Sequence, residues 1–80
     1  MFYVYIIRSE SRPEQTYVGF TTDLKKRLAK HNAGGSPHTA KSVPWRLEFY
    51  CAFLREEKAL AFEQYLKSHS GKAFANKRLL

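Results

Sequence analysis

The 80-residue chain contains one cysteine, no long hydrophobic run and few acidic residues. The single cysteine, Cys51, excludes an internal disulfide and fits a reducing compartment. It falls in an apolar strand, where a thiol behaves as a small hydrophobe, and we assign it no catalytic role. The apolar run at residues 2–7 is too short for a membrane span and lacks the basic segment of a signal peptide. We therefore expect a cytoplasmic protein that does not contact a membrane.

Acidic residues are scarce, since seven stand against 14 lysines and arginines and the net charge is +7. None follows Glu63. A basic surface favours an anionic partner, most often nucleic acid, although the same charge can serve solubility alone. The lysines that we assign to nucleic-acid contact are Lys26, Lys30, Lys67 and Lys72.

Several chemical signatures are also absent. The chain has no P-loop, no G-x-G-x-x-G, no G-x-S-x-G and no Cys/His dyad pattern. Its three histidines do not have the spacing of zinc ligands. These absences argue against most nucleotide-binding and acyl-transfer enzymes and against a structural zinc site.

Periodicity predicts one α+β domain over residues 1–80, in the order β-β-α-β-α, with three strands in one sheet covered by helices. The first two strands are residues 2–8 and 16–21, joined by a hairpin loop. A loop over residues 34–44 leads to the third strand, in which four apolar residues alternate with other side chains. These are Leu47, Phe49, Cys51 and Phe53.

Two helices are predicted. The first begins after Thr22 or Asp23, either of which can cap it, and ends near Asn32. The second covers residues 55–69, and the last residues add a short turn or helix.

Two strand tyrosines have a predictable placement. Side chains alternate between the faces of a strand, so Tyr5 and Tyr17 share one face if no bulge intervenes. Tyrosines are common as half-buried strand residues, and this is the simpler interpretation. A chemical role as a base needs help, because a free phenol titrates near pH ~10. A nearby guanidinium or divalent metal would lower that value.

The first helix places Leu24 and Leu28 on its core stripe, with Arg27 and His31 four residues apart on the neighbouring stripe. Arg27 stays charged and can form two bonds to a phosphate. His31 could act as a base, as a phosphate donor or as a cap of the helix C-terminus, and the pattern alone favours the cap.

Glu63 lies beside the buried stripe of the second helix, which Ala59, Phe62 and Leu66 define. An i,i+4 ion pair with Lys67 is the interpretation that the pattern favours. Alternatively, one carboxylate can hold Mg²⁺ when water and substrate phosphate supply the other ligands.

Taken together, these residues resemble a known family. YVY at residues 3–5 and YVG at residues 17–19 are similar to the paired signature of the GIY-YIG nuclease domain. Arg27, His31 and Glu63 stand where that family has its helical arginine, its histidine and its metal-binding glutamate. The resemblance covers nearly the whole chain and is strongest to small stand-alone bacterial members, of the excinuclease-like, predicted endonuclease type.

The resemblance implies a three-stranded antiparallel sheet with flanking helices and a metal-dependent endonuclease, acting on DNA in repair or recombination. Tyr5 or Tyr17 would deprotonate the attacking water, and Arg27 would stabilise charge on the phosphate. His31 would assist proton movement or phosphate contact. Glu63 would hold Mg²⁺ or Mn²⁺.

The signatures depart from GIY and YIG, and the C-terminal segment around Asn76 lacks the proline usual in the family, so Asn76 stays outside the predicted site. Gly19 would leave room beside Tyr17 for substrate. Because relatives draw specificity from attached domains or partners, a specificity-providing protein is expected. The competing hypotheses are a non-catalytic nucleic-acid-binding module of the same fold and, less favoured, an adaptor for an acidic protein.

Overall fold

Three strands and three α-helices follow one another in a computed structural model that describes all 80 residues. Along the chain they are β1 (Phe2–Ser9), β2 (Thr16–Thr21), α1 (Leu24–Asn32), β3 (Trp45–Phe53), α2 (Glu56–Lys67) and α3 (His69–Arg78), with a short 3₁₀ turn at Ala40–Ser42 before β3. The strands form one antiparallel sheet in the order β2-β1-β3. The predicted α+β class and sheet are confirmed.

The β1–β2 hairpin has a regular register. Tyr5 lies opposite Gly19, and Ile7 lies opposite Tyr17. Residues directly opposite each other project to the same face of a sheet. The prediction that Tyr5 and Tyr17 share a face is therefore confirmed, and no bulge interrupts this pair of strands.

The two faces of the sheet support two separate apolar clusters. On one face, Val4 and Ile6 pack with Ala59 and Leu66 of α2 and with Ala75 of α3. This cluster confirms the stripe predicted for α2.

On the other face, Tyr5, Ile7 and Trp45 form a smaller cluster against which Leu24 and Leu28 of α1 pack. Helix α1 therefore covers the face that carries the two tyrosines, while α2 and α3 cover the opposite face.

The third strand departs from the predicted alternation. Its register with β1 shifts between Ile6, opposite Phe49, and Ile7, opposite Leu47. This bulge leaves Glu48 as an extra residue, which accepts from Arg8 Nε at 2.8 Å. Leu47 consequently packs with the tyrosine face while Phe49 packs with the other cluster. The expectation that Leu47 and Phe49 share a face is wrong because an inserted residue reverses the parity.

The helix boundaries have identifiable causes. Asp23 caps α1, since its Oδ1 accepts from the backbone N–H of Lys26 at 3.1 Å. The helix predicted over residues 55–69 is two helices, because Ser68 leaves the helical conformation and caps α3 by accepting from Gly71 N–H. Of the two alternatives predicted for the C-terminal segment, a short turn or a helix, the structure has a helix of ten residues.

None of the helices has the length and hydropathy needed to cross a membrane.

Candidate active site

Four of the five residues proposed from sequence meet on the α1 side of the sheet. Strand β1 supplies Tyr5, β2 supplies Tyr17, and α1 supplies Arg27 and His31. The rings of Tyr17 and His31 have centroids 5.3 Å apart, and those of Tyr5 and His31 are 5.8 Å apart. Arg27 Nε donates to the Tyr5 hydroxyl at 3.3 Å.

His31 is fully buried and joins two hydroxyl groups. Its Nε2 lies 2.8 Å from the Tyr5 hydroxyl, and its Nδ1 lies 2.7 Å from Thr39 Oγ1. His31 therefore does not cap α1 with its side chain, and that expectation is wrong. The helix instead brings the ring inward, where burial of an imidazole requires that both nitrogens find partners.

The hydrogen-bond partners fix the tautomer of His31. The Thr39 hydroxyl donates its one hydrogen to the carbonyl oxygen of Ser36, 3.5 Å away, so Thr39 Oγ1 acts as an acceptor toward His31 Nδ1. Nδ1 of the neutral imidazole then carries the hydrogen, and Nε2 accepts from the Tyr5 hydroxyl, whose oxygen accepts from Arg27 Nε. The result is a continuous chain of hydrogen bonds from Arg27 to Ser36.

Burial decides the protonation states along this chain. It lowers the pKa of His31, with the charges of Arg27 and Lys30 acting in the same direction, so the imidazole is neutral. It also raises the pKa of Tyr5, outweighing the opposite effect of the Arg27 hydrogen bond and charge. The expected lowering of a phenol pKa by the guanidinium is present at Tyr5, but burial outweighs it. Tyr5 is thus a hydrogen-bond donor and not an anion.

The two tyrosines differ in access to solvent. Tyr5 is only 1% exposed, whereas Tyr17 is half-buried. The hydrogen bond with Tyr5 raises the pKa of Arg27, and Tyr17 is close enough to add to the same shift. The site therefore presents an accessible phenol, Tyr17, beside a guanidinium whose Nε is held by a buried phenol, Tyr5.

Gly19 has a different role from the one expected. A Cβ built at this position would lie 2.3 Å from Cζ and from the hydroxyl oxygen of Tyr5. The space above Gly19 is therefore filled by the Tyr5 ring and is not open to substrate. A side chain at this position would collide with the Tyr5 ring, so the glycine lets the Tyr5 hydroxyl reach His31.

Glu63 approaches from the opposite side of the sheet, on α2. Its side chain is 13% exposed, and Oε2 lies 3.1 Å from Lys67 Nζ. The ion pair predicted from the i,i+4 spacing is confirmed. The carboxylate is also near enough to Tyr5 for its charge to add to the raised pKa of that phenol. Glu63 therefore lies within electrostatic range of the tyrosine cluster, across the edge strand β2.

The donor set at Glu63 suits one kind of metal binding only. No group of three or more His, Cys, Asp or Glu side chains is arranged to hold an ion. No buried side-chain oxygen or nitrogen lacks a partner, so Glu63 Oε1, which has none in the protein, reaches solvent. One open carboxylate oxygen fits Mg²⁺ or Mn²⁺ that keeps several waters and shares a substrate phosphate. It does not fit a cage built from protein ligands.

The four lysines assigned to nucleic acid lie in two separate depressions. Lys26 and Lys30 line the first, of about 370 Å³, which we call the cationic cleft. Its lining is Thr21, Thr22, Asp23, Lys26, Arg27 and Lys30. Lys67 and Lys72 line the second, of about 400 Å³, which we call the edge groove because it runs beside β2. Tyr17 also lines the edge groove, so both depressions adjoin the candidate active site.

Thr39 is the site residue that sequence reasoning missed. It is fully buried, and its carbonyl oxygen accepts from Trp45 Nε1 at 2.8 Å while its hydroxyl holds His31. A threonine in a Gly/Ser/Pro loop carries no periodicity that could point to it. The one available signal is the nearby Trp45, since a buried indole N–H needs an acceptor.

Comparisons with known proteins identify the family and agree with the fold. A family model described as the GIY-YIG catalytic domain matches residues 1–78. A UPF0213 protein of Streptococcus pyogenes serotype M5 (strain Manfredo) is 42% identical over 66 residues, which cover 81% of this chain and 70% of that protein. A UPF0213 protein of serotype M1 matches to the same extent. The solution NMR structure of a UPF0213 protein from Bacillus halodurans is similar, with a TM-score of 0.57 and 32% identity, covering 99% of this chain and 87% of that one.

Proposed function

Because the chain belongs to the GIY-YIG catalytic-domain family, whose members are nucleases, we propose that it is a divalent-metal-dependent endonuclease that hydrolyses phosphodiester bonds in DNA during repair or recombination. The observation that carries the proposal is the buried chain from Arg27 through Tyr5 to His31. It holds a guanidinium firmly beside the accessible phenol of Tyr17, at a strongly basic surface. This is the chemistry that an attack on a phosphate diester requires.

Each residue has a role that follows from its surroundings. Tyr17 is the phenol that an attacking water can reach, and in its phenolate form, beside the positive charge of Arg27, it would accept the proton of that water and become the neutral phenol. Arg27 would stabilise the charge that develops on the phosphate oxygens through guanidinium N–H groups other than Nε, which Tyr5 occupies. Tyr5 and His31, which solvent does not reach, would position Arg27 and would not take part in proton transfer with water.

Glu63 would hold the metal through the carboxylate oxygen that reaches solvent. When bound, Mg²⁺ or Mn²⁺ supplies positive charge to the phosphate and to the leaving oxygen. Lys67, 3.1 Å from Glu63, would then be freed for the nucleic-acid backbone. A specificity-providing protein partner belongs to the same proposal, because relatives in this family draw target specificity from attached domains or partner proteins.

The test is cleavage of labelled DNA with Mg²⁺, with Mn²⁺ and with EDTA, using single-stranded, duplex, flap and four-way junction substrates. Glu63→Gln and Tyr17→Phe should each reduce the rate by about 10²-fold or more, because each removes a group that acts in the transition state. The matched controls are Glu56→Gln, an exposed residue of the same helix, and Tyr50→Phe, an exposed strand tyrosine. Cleavage by the Glu63→Gln protein at the normal rate would refute the metal assignment.

One observation favours a second candidate, a nucleic-acid-binding module without activity. The Glu63 carboxylate already has a cationic partner in Lys67, which competes with a metal for one of its oxygens. Such a module binds DNA with a strong dependence on salt and none on metal. Binding in EDTA that equals binding in Mg²⁺, with no products over hours, would favour it over the endonuclease.

A further inference from the structure

The edge groove differs in chemistry from the cationic cleft. The cleft has no apolar residue in its lining. The groove is half apolar, and its hydrophobic lining includes Ile6 and Val18 from the sheet, Leu66 from α2 and Ala75 from α3. Phosphate needs only cations and N–H donors, whereas a flat nucleobase is stabilised by contact with apolar and aromatic surface. The two depressions are therefore suited to different parts of a nucleotide.

The polar part of the groove suits a nucleotide as well. Lys67 and Lys72 supply positive charge, and Gln15, Thr16 and Asn76 supply amide and hydroxyl groups that can bond to base edges. Glu14 is the one acidic residue of the lining. The volume of about 400 Å³ lies in the range of small-ligand sites, which is about 300–1,000 Å³, and is large enough for a single nucleotide.

The groove and the cleft are connected through the candidate active site. Tyr17, near the start of β2, lines the groove, and Arg27 lines the cleft at the other end of the same strand. Their side chains are close enough for Tyr17 to affect the pKa of Arg27. Because β2 is an edge strand, no neighbouring strand lies along its outer side between the two depressions.

We propose that one nucleic-acid strand crosses β2, with its phosphates in the cationic cleft and an unpaired nucleotide next to the cleavage point in the edge groove. This inference rests on the proposed function for the position of the cleavage point. The inference names a substrate class, which is DNA with an unpaired nucleotide, since a base enters the edge groove only if it is not paired and stacked in a duplex. The preferred substrate is therefore DNA with a single-stranded flap, or a junction that has unpaired nucleotides, rather than an intact duplex.

The test compares two labelled DNAs that differ only in a single-stranded flap, by fluorescence anisotropy in EDTA, so that no cleavage is needed. Thr16→Trp fills the groove from an exposed strand position that tolerates an aromatic residue. Lys72→Ala removes one of its charges. Both variants should bind the flap DNA about tenfold more weakly and the blunt duplex unchanged, because the duplex does not use the groove.

Lys77→Ala is the matched control for Lys72→Ala, since both are exposed lysines of α3 and Lys77 does not line the groove. It should leave the preference for flap DNA unchanged. Equal losses for flap and duplex in the two groove variants, or no preference for flap DNA in the unaltered protein, would overturn the inference.

Cleavage of the same DNAs in Mg²⁺ separates the two proposals. Selective flap binding without products would contradict the endonuclease and leave the groove assignment standing. Products without flap preference would contradict the groove assignment alone.

Discussion

Tyr5 illustrates how one side chain can serve a site without touching solvent. Its ring fills the space that Gly19 leaves, its hydroxyl donates to His31, and its oxygen accepts from Arg27. A tyrosine at this position combines apolar contact area with a polar tip that has two defined partners. Its function in the structure is to hold the guanidinium of Arg27 in place.

The hydroxyl of Thr39 sets the tautomer of His31, and its removal should be measurable. Thr39→Val keeps the shape but leaves the Nδ1–H of His31 without an acceptor. We expect the free energy of unfolding to fall by about 1–3 kcal/mol, the usual cost of an unsatisfied buried donor. Urea denaturation measures this loss, and ¹⁵N chemical shifts of the imidazole report the tautomer. Thr39→Ser, which keeps the hydroxyl, should restore the free energy of unfolding and the imidazole chemical shifts. Imidazole chemical shifts that are unchanged in Thr39→Val would contradict the tautomer assigned to His31.

The buried imidazole also makes stability depend on pH. The pKa of His31 lies below its ordinary value of 6.5, so in mildly acidic solution the unfolded chain binds more protons than the folded protein. The free energy of unfolding should therefore fall as the pH drops from about 7.5 to about 5.5, through the ordinary histidine range. Unfolding at several pH values would measure this slope.

Two variants test whether His31 is the cause of the slope. His31→Gln should flatten it, while His38→Gln, at an exposed loop position, should not. Glu48 affects stability in a different pH range. The hydrogen bond from Arg8 lowers the pKa of Glu48 below its ordinary value of 4.5, so the contribution of Glu48 to the free energy of unfolding is lost only in stronger acid. A steep slope retained in His31→Gln would show that another group is responsible.

For single residues, the sequence predicts that the two tyrosines lie on one face of the sheet and that Arg27 lies beside His31, because both conclusions follow from strand and helix periodicity. It could not find Thr39, because the course of a loop depends on distant packing. It also could not show which phenol is buried, since that depends on the position of α1 over the sheet.

Among the elements, the joint between α2 and α3 is the most constrained. Ser68 alone separates the two helices, and a Cβ at Gly71 would lie 1.6 Å from the carbonyl oxygen of Tyr65. The contact is with backbone, so rotation of a side chain cannot relieve it. The glycine therefore lets α3 fold back closely against the end of α2.

Gly71→Ala should destabilise the protein by about 1–3 kcal/mol, the range for overpacked positions, because α3 must move. Gly35→Ala is a milder comparison, since its Cβ would meet Lys30 Cγ at 2.9 Å, which can move aside, and the Lys30 carbonyl oxygen at 3.3 Å, a far smaller overlap than that at Gly71. The midpoints of urea unfolding for the two variants give the comparison. Equal midpoints would show that the joint tolerates a shift of α3.

Element order and most boundaries could be predicted from sequence, because caps and periodicity are local signals. The bulge opposite Ile6 and Ile7 was not predictable in this way, since Glu48 looks like an ordinary polar position of an alternating strand. Its ion pair with Arg8 forms between residues 40 apart and appears only when the strands pair.

On the scale of the whole molecule, a net charge of +7 predicts that DNA binding weakens steeply with salt. Each phosphate contact on duplex DNA contributes about −0.9 to the slope of log K against log salt concentration. Replacing both Lys26 and Lys30 by alanine should therefore make the slope shallower by about 2. Anisotropy titrations at several salt concentrations measure it.

The matched control for this double variant replaces Lys58 and Lys77, which are exposed and line neither depression. The same change of slope in both double variants would indicate that binding depends on total charge rather than on the cationic cleft. Composition predicts an anionic partner, but the separation of the lysines on two sides of β2 depends on the packing of α2 and α3 and could not be predicted.

The position of Trp45 gives the protein an internal optical probe. It is the only tryptophan of the chain, is 5% exposed, and donates from its indole to the carbonyl of Thr39, the residue that holds His31. Its backbone N–H is bound by the side chain of Asn32 at the end of α1. Indole emission shifts to longer wavelength when water reaches the ring, so loosening of the loop behind His31 can be followed in unlabelled protein, separately from the loss of helix seen by circular dichroism.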